Sequence, residues 1–430
     1  MNQKEIIRSQ RLGESYQKIH HPSGLTLLLC PMSQFSSAFA LFATEYGSVD
    51  STFKRPEDPD YVTVPDGIAH FLEHKMFECE DGDAFAKYAK TGASANAFTS
   101  FDKTAYLFSC TDNFKESLEI LLDFVTKPYF TPETVAKEQG IIGQEIRMYD
   151  DSPDWQVFTN LLEALYYDNP VKIDIAGTTE SIAKIDADLL YRCYHTFYNL
   201  HNMVLAVAGN FSVEEVLEAA DRILPTSPPF AVERMLPDEP VQVQRRRVTV
   251  SMPVSQPLFQ IGFKGVPGSK RENTLGQVYD ELISEILAGE ASALYRRLYD
   301  QGLINASFSG DILAGRDYIA MTFGGESMDP DQVMNQLCQE LDRLVREGID
   351  EESFLLNKKA LYGRYIRMFS SAESTANLLM SGFIGGVSPY EFLETAADVT
   401  LQQLNDRLRG CYHTDRSALS VVLPSGRKNG

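Results

Sequence analysis

Apolar positions alternate with the period of a strand across residues 25–47. Leu25-Thr26-Leu27-Leu28-Leu29 is followed by a break at Pro31, then Ala38-Phe39-Ala40-Leu41-Phe42-Ala43 and a turn at Gly47-Ser48. Past a charged loop at 51–60 the period lengthens, predicting a helix from about Asp66 to Phe77 with Asp66 as its N-cap. A second helix over 81–91 stops at Gly92, strand character returns over 93–110, and helical patterns cover 113–167 and 179–199. The short apolar run Met203 to Ala208 reads as a strand closing at Gly209-Asn210.

Five prolines (Pro225, Pro228, Pro229, Pro237, Pro240) then interrupt all periodicity across 223–245. Beyond them the order starts again. Strands are predicted at 247–252 and 257–264, a turn at Gly265 to Ser269, and a long helix at 275–300. Strands at 307–324 and helices at 330–346 and 351–370 follow. The repeat predicts two tandem homologous α+β domains: 1–222, a Pro-rich linker at 223–245, and 246–430.

Composition narrows what such a molecule does. The chain has 430 residues, 43% hydrophobic and 23% charged, enough for two or three domains with cores of their own. Sixty acids against 39 Lys and Arg leave a net charge of −21. No basic footprint for nucleic acid is present, since Arg245-Arg246-Arg247 is the densest triplet and leads into a strand. An acidic surface attracts neutral or cationic ligands such as basic peptides. Six cysteines without a CxxC pair predict free thiols in a reducing compartment. The first residues carry no signal-type apolar core, and no stretch approaches a membrane span, so the expected location is cytoplasmic, with no membrane partner.

One constellation carries chemistry. The predicted 66–77 helix contains His70-Phe71-Leu72-Glu73-His74. Positions i, i+3 and i+4 share a helical face, so two imidazoles can converge on one Zn²⁺ with a carboxylate beside them as general base. This is the H-x-x-E-H order, and two of only seven histidines form it. A catalytic zinc takes a third protein ligand from another element. Thr131-Pro132-Glu133 opens a helix on which Glu138 and Glu145, seven residues apart, share a face. By spacing alone, a pair of solvated acids fits these positions as well. Gly140 and Gly143, which each weaken a helix, predict a neighbour packed close to that backbone.

These residues together resemble the M16 (insulinase, pitrilysin and mitochondrial-processing-peptidase-like) zinc metallopeptidases, over about residues 15 to 425. The first half matches in its motifs, the second mainly by pattern. The resemblance implies the LuxS/MPP-like metallohydrolase fold, the chain forming one half of a clamshell. It implies one Zn²⁺ per chain held by His70, His74 and Glu145, with Glu138 supporting the site and Glu73 as general base. Gly92-Ala93-Ser94-Ala95-Asn96-Ala97-Phe98-Thr99 looks like the family's edge strand, implying that Asn96, Ala97 and Phe98 pair with an extended peptide substrate. Gly177-Thr178, Ser181-Ile182 and Ala208-Gly209-Asn210 also fall where the family has similar segments.

The implied activity is a zinc endopeptidase acting on short or unfolded peptides in a dimeric chamber. The alternatives are a non-catalytic peptide-binding subunit, or a protease dedicated to one precursor. Many family members carry an Arg and a Tyr, seven residues apart, that stabilise the oxyanion from the facing half. Here Tyr299 and Asn305 fall at those places. The resemblance therefore implies a partner, either a related half-size subunit that supplies the pair or a second copy of this chain. Of the remaining polar candidates, His195 and His201 read as packing or capping groups and His20-His21 as exposed. Cys79 reads as packing, because a catalytic zinc keeps one position open.

Overall fold

The computed structural model describes residues 3–425, which fall into two compact units. In chain order the first unit contains β1 (Gln3–Arg8), β2 (Ser15–His20), β3 (Thr26–Pro31), β4 (Ala38–Thr44) and the short β5 (Thr52–Lys54) and β6 (Val62–Thr63). Helix α1 (Ile68–Met76), the hairpin β7 (Glu78–Cys79) and β8 (Gly82–Asp83), and α2 (Ala84–Thr91) follow. Then come β9 (Ser94–Thr99), β10 (Thr104–Cys110), α3 (Phe114–Thr126), most of α4 (Pro132–Asp150) and, later, β11 (Met203–Gly209).

Seven strands form one sheet in the order β1-β2-β3-β11-β4-β10-β9, antiparallel except for the β3/β11 pair. Its central strands are buried on both faces, which is why they read as nearly unbroken apolar runs. Leu27, Leu29, Ala40 and Phe42 meet α1, α2 and α3 on one face. Leu28, Phe39, Leu41 and Ala206 meet the helix Ala372–Gly385 on the other.

The second unit has a ribbon-free sheet of its own. Strands β13 (Arg247–Met252), β14 (Leu258–Lys264), β15 (Ser309–Ala314), β16 (Ile319–Glu326) and β17 (Ser417–Pro424) pair in the order β13-β17-β14-β16-β15. (Strand β12, Glu233–Arg234, pairs with β5 in the first unit.) The β13/β17 pair is parallel, as β3/β11 is, so five strands repeat in order and direction. Helix α5 (Pro153–Leu165) lies on β14 and β17, where Gly262 gives it room: a Cβ there would stand 2.8 Å from Leu165 Cδ1. The helix Lys270–Ala288 lies on β15 and β16.

The fold is thus the expected duplicated α+β arrangement, but the compact units are not contiguous in sequence. Residues 147–173 belong to the second unit and 366–390 to the first. Each sheet needs apolar cover on both faces, and α5 and Ala372–Gly385 supply it. Neither periodicity nor length announces to which sheet a helix goes.

Several boundaries differ from expectation. The 275–300 helix starts earlier, at a Ser269/Glu272 capping box, and breaks at Gly289 before a new helix, Ala293–Asp300, capped by Ser292. The 113–167 pattern resolves into α3, α4 and α5, broken at Lys127 and Ser152. All six cysteines are unbridged. His21, expected to be exposed, is buried, its ring bonded to Ser23 Oγ at 2.8 Å and Asp221 Oδ1 at 2.9 Å. Among the described residues no helix is long and apolar enough to cross a membrane.

Candidate metal centre

Helix α1 does not start on an aspartate cap. Gly67 precedes it at φ 88°, with no side-chain cap, and a Cβ at this position would meet Ala176 O at 2.3 Å. Gly177 approaches from the other side, where a Cβ would stand 2.5 Å from Asp66 O. Ser181 Oγ donates to the same Asp66 carbonyl at 2.8 Å. Asp66 therefore serves through its backbone, and the glycine pair with Ser181 fixes the entry angle of the helix. Eight of its nine residues are buried, His70 and Glu73 among them.

Helix α4 brings the carboxylates. Thr131 Oγ1 accepts from Thr134 N at 3.2 Å at its start, and Val135, Ile142 and Ile146 bury one stripe. Gln139 Nε2 donates to Ile182 O and Ile185 O at 3.3 and 2.9 Å, tying the helix to the segment that also fixes α1. Glu138 and Glu145 flank this stripe on the side of α1. The close neighbour expected at Gly140 is not there: a Cβ would meet nothing within 4 Å, and the residue is exposed.

The two helices converge on one point. His70 Nε2 lies 3.7 Å from Glu145 Oε1 and His74 Nε2 3.4 Å from Glu145 Oε2. One donor atom from each of the three residues lies within 4.8 Å of the others. Among the described residues this is the one such cluster of three or more His, Cys, Asp or Glu. Two imidazoles and a carboxylate suit zinc, and a three-residue set leaves a coordination position open. Glu138 Oε1 takes the far nitrogen of His74, Nδ1, at 3.0 Å, which orients Nε2 toward Glu145. His70 Nδ1 is buried without a hydrogen-bond partner.

Electrostatics separate the two histidines. Burial, helped by the neighbouring His74, pushes the His70 pKa down to about 3, so its ring stays neutral and able to ligate. Burial opposes charge on His74 too, but the bond from Glu138 and the charges of Glu73, Glu145 and Glu138 together raise its pKa. Burial also raises Glu73, against the hydrogen bond that Thr99 Oγ1 donates to its Oε2 at 2.8 Å. Sequence reasoning missed Thr99 as a partner of Glu73, although it ends the quoted edge-strand run.

Strand β9 is the edge of its sheet, paired with β10 alone. The Asn96 side chain accepts the Ala97 amide at 2.9 Å. A cleft of about 660 Å³ opens beside the cluster, lined by Glu73, His74, Phe77, Asn96, Ala97 and Glu138 among others. Cys79 also lines it, half-buried against the first core. Phe98 pairs with Ala105 in the β9/β10 ladder and does not line the cleft. His195 is exposed and stacks on Tyr191, and His201 packs over Gly24. In the second unit, Tyr299 is exposed and stacks on Tyr295, while Asn305 Nδ2 donates to Glu326 Oε2 at 2.7 Å.

Comparison with known proteins gives the same picture. Residues 58–179 match the family model described as Insulinase (Peptidase family M16), and residues 184–361 the Peptidase M16 inactive domain. The uncharacterized zinc protease YmfH of Bacillus subtilis is 38% identical over 97% of this chain and 99% of its own length. Another Bacillus subtilis protein, the uncharacterized zinc protease YmxG, is 26% identical over 87% of this chain and 91% of its own. The crystal structure of an M16-like peptidase from Alicyclobacillus acidocaldarius superposes with a TM-score of 0.88, at 35% identity and 99% coverage of both chains. Pitrilysin, at 18% identity, shares the fold with a TM-score of 0.76, and this chain spans 46% of it.

Proposed function

The chain belongs to peptidase family M16, and on that footing we propose that it is a zinc-dependent endopeptidase cutting short or unfolded peptides. The observation that carries this reading is the convergence of His70, His74 and Glu145 with the Glu73 carboxylate on the same helical face as the two imidazoles. His70 Nε2, His74 Nε2 and a Glu145 oxygen hold one ion per chain. Bound there, zinc supplies an acidified water and polarises the scissile carbonyl. Glu73 takes a proton from the attacking water at its carboxylate and delivers it to the departing amine, and its raised pKa suits that exchange near neutral pH. Thr99 holds the Glu73 rotamer, and Glu138 holds the His74 tautomer.

The open edge of β9 receives the peptide as an added strand, through Asn96, Ala97 and Phe98, with Asn96 releasing the Ala97 amide on binding. Main-chain pairing of this kind asks for an extended substrate and little of its sequence. Tyr299 and Asn305 stand where many family members carry an oxyanion-stabilising Arg and Tyr, and a lost donor is typically worth about 3 kcal/mol. The partner in this reading is a related half-size subunit that brings the pair, rather than a second copy. Six unbridged thiols fit a reducing, cytoplasmic setting.

The test is cleavage of a mixed pool of unstructured peptides by the purified zinc-loaded chain, read by mass spectrometry, beside a Glu73→Gln copy. Cleavage by the unaltered chain alone supports the peptidase and removes the need for a partner. Zinc-loaded protein that cuts only after addition of a half-size relative supports the heterodimer. Equal cleavage by both copies overturns the assignment of Glu73.

A further inference from the structure

The cleft beside the metal cluster extends past what strand pairing uses. Its floor is the α1 C-terminus and the β7–β8 hairpin, where Phe77 and Phe85 stack with centroids 4.3 Å apart and planes at 12°. Phe85 is 47% exposed, a large aromatic face left open on the cleft side of α2. Three acids of the hairpin, Glu78, Glu80 and Asp83, also line the space. Two of them are engaged: Glu78 is paired with the fully buried Lys75, and Asp83 caps α2 by accepting Phe85 N at 2.8 Å. Glu80 is exposed and has no cationic partner among the described residues, and Lys137, reaching in from α4, is the single Lys or Arg in the lining.

An apolar platform with an unanswered carboxylate beyond it matches a side chain with a long aliphatic stem and a cationic head. We propose that this cleft is a specificity pocket for a lysine or arginine next to the scissile bond, with Phe77 and Phe85 carrying the stem and Glu80 receiving the charge. The proposal rests on the peptidase reading of the adjoining cluster. The volume of about 660 Å³ holds a full arginine side chain with solvent to spare, so size does not decide between the two bases. Arginine's planar guanidinium stacks better on the exposed Phe85 face, so it is the stronger ligand of the two. The net charge of −21 draws cationic peptides toward the molecule before they reach the cleft.

The cation–aromatic contact and the exposed ion pair are each worth a factor of about two to five, so together they give roughly tenfold. The experiment moves a single arginine stepwise along a neutral, unstructured peptide and locates the cut in each by mass spectrometry. The same peptides with norleucine in place of arginine serve as the comparison. The expected result is a scissile bond that travels in register with the arginine, and a kcat/KM about tenfold above norleucine. Glu80→Gln and Phe85→Ala should each lower that ratio by a factor of about two to five, the former effect fading with added salt.

A cut site that stays put as the arginine moves, or a ratio of one in the unaltered chain, overturns the proposal while leaving the peptidase standing. If no peptide of any kind is cut, the peptidase reading is what fails. The pocket is then read by fluorescence anisotropy of the same arginine and norleucine peptides on the zinc-loaded Glu73→Gln chain. Tighter arginine binding that Glu80→Gln abolishes supports the pocket, and equal binding overturns it.

Discussion

Glu138 touches neither the candidate ion site nor the cleft floor, yet its removal should weaken metal binding. Its Oε1 lies 3.0 Å from His74 Nδ1, with only 13% of the Glu138 side chain and 26% of the His74 side chain exposed. A hydrogen bond to a charged, largely buried acceptor contributes about 1.5–3 kcal/mol, which is roughly ten- to a hundredfold in an equilibrium constant. Glu138→Leu removes both the acceptor and the charge and should raise the zinc Kd by that full range. Glu138→Gln keeps an acceptor oxygen for Nδ1–H and should lose less than tenfold. A second consequence runs the other way. Glu138 is one of the groups that raise the His74 pKa, so its loss lowers that pKa and eases proton competition in acid. The comparison therefore belongs near pH 8, where His74 is unprotonated in every variant and only ligand orientation differs. The assay is competition of apoprotein against a chromophoric chelator, with circular dichroism to establish that each variant is folded. A folded Glu138→Leu protein whose zinc Kd stays within twofold of the unaltered chain would refute the reasoning.

Zinc affinity should depend on pH through one proton. His70 stays neutral down to about pH 3, whereas the raised pKa of His74 means that its proton must leave as metal binds. Log Kd should fall by one per pH unit below the His74 pKa and flatten above it, and a slope of two would show that His70 titrates as well. Thr99→Val removes the hydrogen bond that favours ionised Glu73, so the acidic limb of kcat/KM should move to higher pH while zinc content stays the same. An unmoved limb would mean that Glu73 does not govern it. In the second unit, Lys264 is 2% exposed and donates to Leu165 O, Pro240 O and Gln242 O at 2.9, 2.7 and 3.0 Å as well as to Glu239. Lys264→Met leaves that carboxylate uncompensated and should destabilise the protein by about 3–5 kcal/mol in urea titration, and a loss below about 1 kcal/mol would show the cage to be dispensable. Metal analysis of the loaded chain should give one zinc, and two would reveal a site on the second unit.

The chemistry was legible because it is local. His70, Glu73 and His74 need only a helix to share a face, and Glu138 and Glu145 need only a second one. What two separate helices do to each other is not local. Nothing in the spacing says that Glu145 reaches both imidazoles, and the resemblance, not the geometry, pointed there. Asp66 looked like a cap because aspartate usually caps, but the close approach of Ala176 demands a glycine at the helix entrance and uses the Asp66 carbonyl instead. His21 sits beside a surface turn in sequence and is buried in space, because Asp221, two hundred residues on, supplies its partner. Gly140 carried the opposite error: a glycine in a helix suggested a crowded backbone where the structure leaves it open. The exchange of α5 and Ala372–Gly385 between the units is the largest feature with no sequence signal, since both helices are simply apolar enough to cover a sheet.

The duplication explains why one unit alone offers a metal site. In the first unit, α1 lies along edge strand β9 and presents residues i and i+4, His70 and His74, to a carboxylate on the second helix after the β9–β10 hairpin. In the second unit, the helix Lys270–Ala288 lies along edge strand β15 and presents Glu281 and Glu285, again i and i+4. The second helix after the β15–β16 hairpin, Glu351–Met368, answers them with Arg364 at 2.6 Å from Glu285 and the Tyr365 hydroxyl at 3.0 Å from Glu281. The scaffold is the same and the charges are exchanged. Neutral imidazoles became carboxylates, and the carboxylate ligand became a guanidinium. A cluster that must import a cation in one unit is closed in the other by a cation of its own sequence. Arg364 is covalently part of the chain and offers no lone pair, so the second cluster can neither bind zinc nor activate water. It still ties its helix to the sheet edge in the way the metal ligands tie α1 to α4. Catalysis thus rests on three side chains of one unit, while the geometry that holds them is common to both.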